Sequence, residues 1–134
     1  MGLTIFSKHN QNDYARISYY EFMQFRIELA KAFNQTIGYC YSQHAQNFTK
    51  NKEIADHFDK MFEGIFEIAN SKAKQIMLFL CKKDTGGSCG KKMCNLIVEY
   101  KEIILQNAEN YQKKPFEMIL YIIEKSKDYG IRWV

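Results

Sequence analysis

Proline occurs once in the 134 residues, and no stretch is rich in glycine or serine. A flexible or stiff linker would need one of these, so nothing in the composition divides the chain. Arginine is nearly as scarce, with three against sixteen lysines, and the net charge is only +4. Arginine makes the bidentate contacts to bases, so a dedicated duplex-reading surface is not indicated. The lysine, together with frequent isoleucine and asparagine, reads as the mark of a low-GC genome. No apolar run reaches the roughly 18 residues of a membrane-spanning helix. Residues 1–15 also lack the apolar segment of a signal peptide. The expectation is a cytoplasmic protein with no membrane contact.

Cysteine is present four times, as Cys40, Cys81, Cys89 and Cys94, but never as C-x-x-C. Neither the thioredoxin motif nor a zinc ribbon is available, and without secretion the thiols are expected to be free and mostly buried. The G-x-S-x-G and H-E-x-x-H motifs are also missing. No nucleophile stands beside a visible base, so no catalytic residue is assigned and the chain is read as a non-enzyme without cofactor. What the sequence does have is a globular balance, 46% apolar and 25% charged, and 15% aromatic residues for the core.

Periodicity predicts a mainly α fold, with residues 1–134 as a single helical domain. A strand is expected at 3–8, followed by a loop at 9–17 carrying Asn10, Asn12 and Asp13. Ser18-x-x-Glu21 is a capping box, and a helix at 19–37 should end on Gly38. Residues 39–50 are ambiguous. A second helix covers 52–69, with Gly64 at its middle as a place for close helix approach. Ser71 should cap a helix at 72–83, which places Cys81 on a buried surface. Asp84-Thr85-Gly86-Gly87 is the clearest turn. Ser88 should cap a helix at 89–108, and Pro115 should open a last helix at 115–128. That last helix is apolar nearly all round, which fits a central position or a homodimer contact. Ile131-Arg132-Trp133-Val134 reads as a strand pairing with 3–8. The sum is a bundle of about five helices with a two-stranded sheet joining the chain ends.

Arg26 breaks this pattern. At about 100° per residue it points away from Glu21, Glu28 and Lys31 and toward Tyr19, Phe22, Ala30 and Phe33. A guanidinium there must be paired. We expect a structural ion pair with Asp84, held against the core by the tight turn. The other reading is a pocket cation for an anionic ligand.

Three further constellations were weighed. Cys40, His44, Cys89 and Cys94 carry ligand chemistry, but their spacing matches no zinc site, and no metal is assigned. Gly86-Gly87-Ser88-Cys89-Gly90-Lys91-Lys92 has the parts of an anion nest without being a Walker A loop. Asp84-x-Gly86-x-Ser88 begins like a calcium loop, but Asn95 stands where the closing Glu belongs. Tyr20, Tyr39, Tyr41 and Phe48 lie outside the main apolar stripes, as interface aromatics do.

Phe25-Arg26-x-x-Leu29-Ala30, Phe79-Leu80-x-x-x-Asp84-x-x-Gly87-x-Cys89, Cys94 and Gly130-x-x-Trp133 together resemble a group of small bacterial and phage accessory proteins. The resemblance covers most of the chain except 39–53. In that group the turn is more acidic than here. It implies an accessory protein of a phage or mobile element, of a kind that often works as an adaptor or inhibitor. The expected function is therefore binding of a host macromolecule, in the first place a protein, through Tyr39, Tyr41, Phe48, Lys82, Lys83, Lys91 and Lys92. The alternative is anion or nucleic-acid binding through the lysine-rich 82–92 turn.

Overall fold

A computed structural model describes residues 2–134 and shows a mainly helical chain with a small antiparallel sheet. The chain opens with a hairpin of β1 (Gly2–Ser7) and β2 (Tyr14–Ser18). Residues 9–17 are therefore not all loop. Tyr14-Ala-Arg-Ile-Ser alternates outward and inward, with Ala15 and Ile17 buried on the core face. The turn is held by Asn10, whose side chain accepts the Asn12 N–H. Ile131–Trp133 forms the last strand, β4, and pairs antiparallel with β1, Ile5 opposite Trp133. The chain ends are thus joined as expected, but the sheet has four strands. β3 (Gly87–Cys89) adds to β4, giving the order β2-β1-β4-β3.

Among the described residues there are seven helices, not five. α1 (Tyr19–Phe33) starts on the Ser18–Glu21 capping box. It ends at Asn34, four residues before Gly38. Asn34 is extended and its side chain accepts the Ile37 N–H, so one residue closes α1 and caps α2 (Gln35–Asn47). The ambiguous 39–50 segment is the body of α2. Gly38 lies inside it, where a Cβ would stand 2.5 Å from the Lys31 backbone. It permits close contact of α1 with α2 and terminates nothing.

α3 (Lys52–Ile68) follows, then α4 (Ser71–Leu80). Asn70, not Ser71, caps α4 through the Ala73 N–H. The expected 89–108 helix is interrupted twice. Ser88 is in β3, so α5 (Lys91–Glu99) begins at Gly90 with no side-chain cap. Tyr100 separates α5 from α6 (Lys101–Asn107), its ring edge-on to Phe33 at 5.9 Å. α7 (Asn110–Lys125) starts five residues earlier than Pro115 predicts. Gln112 reaches back to the Glu109 N–H and closes the N-terminus, leaving Pro115 in the second turn.

α7 is central. Phe116, Ile119, Leu120, Ile122 and Ile123 are buried against α1, α5, α6 and the hairpin. Its buried residues are used within the chain, while Tyr111 and Tyr121 stay exposed on its outer side. After α7, Gly130 takes φ +106° to turn the chain into β4.

Gly38→Ala should lower stability by about 1–3 kcal/mol, because the backbone of α1 must move to admit the methyl group. Helix propensity alone would raise it by roughly 1 kcal/mol. Urea unfolding reads the sign.

Candidate functional site

Arg26 enters the core from the middle of α1 and is 1% exposed. Its Nη1 donates toward the carbonyls of Phe79 (3.2 Å), Leu80 (3.0 Å) and Lys82 (2.6 Å), and Nη2 toward Lys83 (3.5 Å). These carbonyls lie at the C-terminal end of α4 and just beyond it, and that of Phe79 also accepts the Lys82 N–H. Here the helix dipole favours a cation. The guanidinium carbon lies 4.1 Å from the Phe22 ring centroid, with the Phe79 and Trp133 rings at 5.4 and 5.5 Å. Trp133 Nε1 donates to the Lys83 carbonyl at 2.9 Å, so the same turn is held from the sheet side.

The structure brings Arg26 and Asp84 together, Nη2 to Oδ1 at 3.5 Å. The pair is not buried, because Asp84 is 48% exposed. A half-exposed carboxylate at that distance contributes little. The carbonyls and aromatic faces hold the guanidinium; Asp84 assists from the rim. Burial pulls Arg26 below its ordinary value, while Tyr41 and Asp84 oppose the shift.

Above this clamp lies a cleft of about 580 Å³. α2 supplies Tyr41 and His44 to it, with Phe48 at its end. α3 supplies Asp59 and Phe62, α1 Met23, and the end of α4 Cys81, Lys82 and Lys83. Volume and lining match those of ordinary ligand sites, apolar walls with a few polar groups. Of the seven residues expected to contact a partner, Tyr41, Phe48, Lys82 and Lys83 share this cleft. Phe48 is 67% exposed at the mouth and stacks edge-on to His44 at 5.8 Å.

The other three are elsewhere. Tyr39 packs against Phe58 on the outside of the α2–α3 pair, centroids 5.4 Å apart. Lys91 and Lys92 line a separate groove with Asn95, Glu99 and Asp128. The lysines of the 82–92 turn therefore split into two pairs facing different grooves, and the second groove also carries Lys127, Glu99 and Asp128. Tyr20 borders a third groove with Tyr111.

The cleft contains groups that residue spacing did not assign to it. His44 Nδ1 lies 2.9 Å from the Ala55 carbonyl. A carbonyl only accepts, so Nδ1 carries a proton. Cys81 is exposed at the end of α4, not buried along it. Desolvation pushes its thiol up, Asp59 and Glu63 adding to the shift and Arg26 opposing it. The thiol is therefore neutral near pH 7 and a poor nucleophile. Tyr41 faces Arg26, yet burial pushes its phenol up to about 12.

Cys89 and Cys94 are buried beside each other under β4. The neighbouring Cys94 thiol lowers Cys89, and the Cys89 thiol together with burial raises Cys94. Cys40 is buried in α2 and burial raises it. The four do not converge: among the described residues no three His, Cys, Asp or Glu side chains could share a metal. No helix among them is long and apolar enough to cross a membrane.

In comparisons with known proteins, no family model matches the chain, and no curated protein or solved structure is significantly similar to it.

Arg26→Met should cost about 2–4 kcal/mol in urea unfolding, because several carbonyls lose their donor. Asp84→Asn should cost under about 1 kcal/mol. Equal losses would show that the ion pair, not the carbonyl clamp, carries the stability. Tyr41 gives a pH signature. Its folded pKa of about 12 lies above the ordinary 10, so the unfolded chain loses the phenolic proton first. The contribution is whole below the ordinary value and is lost as pH rises from about 10 to about 12. A tyrosinate absorbance titration should show a late component that Tyr41→Phe removes.

Proposed function

We propose that this chain is a non-enzymatic binding protein of the adaptor or inhibitor type, docking a partner protein in the cleft above Arg26. The observation that carries the reading is the common cleft of Tyr41, Phe48, Lys82 and Lys83. An exposed aromatic at the mouth, apolar walls from Met23 and Phe62, and two lysines on the rim suit an inserted apolar side chain with acidic neighbours. The neutral Cys81 thiol favours docking over covalent chemistry. The resemblance of the Arg26 helix and the Asp84–Cys89 turn to phage and mobile-element accessory proteins agrees with such a role, with a host protein as target.

The test is co-purification with the tagged chain from a host lysate, comparing wild type with variants. One stoichiometric protein should be captured and should resist added salt. Phe48→Ala should weaken capture by about 30-fold or more, as loss of an interface anchor does. Lys82→Glu with Lys83→Glu should also weaken it, while Lys91→Ala with Lys92→Ala should not. Nuclease-sensitive material lost steeply with salt, and lost on the Lys91 and Lys92 changes, would replace this reading by anion or nucleic-acid binding.

A further inference from the structure

One side of α3 faces the cleft and α2 through Ala55, Phe62 and Asp59. Another strip of the same helix carries Ile54, Met61 and Ile68, which are 39%, 41% and 86% exposed. Gly64 lies on that strip. A Cβ built there meets nothing within 4 Å, so no neighbour in the chain uses the close approach that glycine allows. In mid-helix the glycine costs roughly 1 kcal/mol against alanine. An unused glycine between the exposed Met61 and Ile68 is what a second helix would require, with Ile54 outside the overlap.

The charges beside the strip indicate which helix. Lys60 and Glu67 flank the same edge of it, four residues before Gly64 and three after. When two α3 helices pack antiparallel about a two-fold axis through Gly64, each edge lies along its own copy in reverse. Lys60 then stands beside Glu67 of the partner subunit, their heights differing by one residue, about 1.5 Å. Met61 meets the partner's Ile68 with the same offset. The pattern is self-complementary, as an isologous contact must be. We infer that the outer face of α3 joins two copies of this chain as an antiparallel pair crossing at Gly64. This contact is independent of the cleft, which opens on another side of α3.

Sedimentation equilibrium of the full chain tests it. Wild type should approach twice the chain mass as concentration rises. Ile68→Glu should weaken association by at least about a hundred-fold, since each dimer loses two buried isoleucines. Lys60→Glu or Glu67→Lys alone should weaken it by about three- to ten-fold, and the two together should restore it. Gly64→Gln should raise the unfolding midpoint of the monomer while lowering association. Wild type that stays monomeric to near-millimolar concentration overturns the inference. So does a dimer indifferent to Ile68→Glu, or a double charge reversal that fails to restore pairing. Should Ile68→Glu lose its helical circular dichroism, the exposed charge reversals decide the matter.

Discussion

The Arg26 guanidinium ties together segments that are distant in sequence. It leaves α1, stacks on Phe22, and gathers the carbonyls of residues 79, 80, 82 and 83 at the end of α4. Trp133 closes the arrangement by binding the Lys83 carbonyl from the last strand. A buried cation is costly unless it is satisfied, and a helix end is costly unless its carbonyls are. The two Nη groups and the carbonyls meet each other's need, while Arg26 Nε has no partner. The first helix, the fourth helix, the 81–84 turn and the C-terminal strand are therefore held in one geometry.

The cleft depends on that geometry. Lys82, Lys83 and Cys81 stand on its rim because the chain after Leu80 is pulled inward by its carbonyls, which turns its side chains outward. The opposite wall is α2, placed by the contact of Gly38 with the backbone at Lys31. α3 then serves two surfaces, with Asp59 and Phe62 in the cleft and Met61, Gly64 and Ile68 away from it. One helix can do this because its apolar strip is wider than its neighbours cover.

Much of the architecture was legible. The Ser18–Glu21 capping box, the extent of α3, the joined chain ends and the inward direction of Arg26 follow from spacing alone. The errors have particular causes. Gly38 resembles a helix stop, but a glycine also serves close approach, and only the position of Lys31 distinguishes the two. Asn34 was the true stop. Ser88 has the chemistry of a cap, yet β4 offered it a strand partner, and ladder hydrogen bonds outside the local sequence prevailed. Pro115 is well placed to start a helix, but Gln112 and Glu109 supplied an earlier start. The strand at Tyr14–Ser18 did leave a signal, the alternation of Ala15 and Ile17, which the polar turn before it obscured. The inward side of α2 left one too, since the buried Ile37 and Cys40 and the cleft residues Tyr41, His44 and Phe48 recur at helical spacing.

The sequence by itself determined the helical character and the buried direction of Arg26, because these depend on local period and on side-chain chemistry. The tertiary structure decided how they combine. It divided seven expected contact residues among different faces, and it exposed Cys81 while burying Cys89 and Cys94. It also made carbonyls, not a carboxylate, the principal partners of Arg26. Backbone carbonyls carry no mark in the sequence. Which of them converge on a cation depends on where a helix ends in space, and that is set by packing between segments more than fifty residues apart.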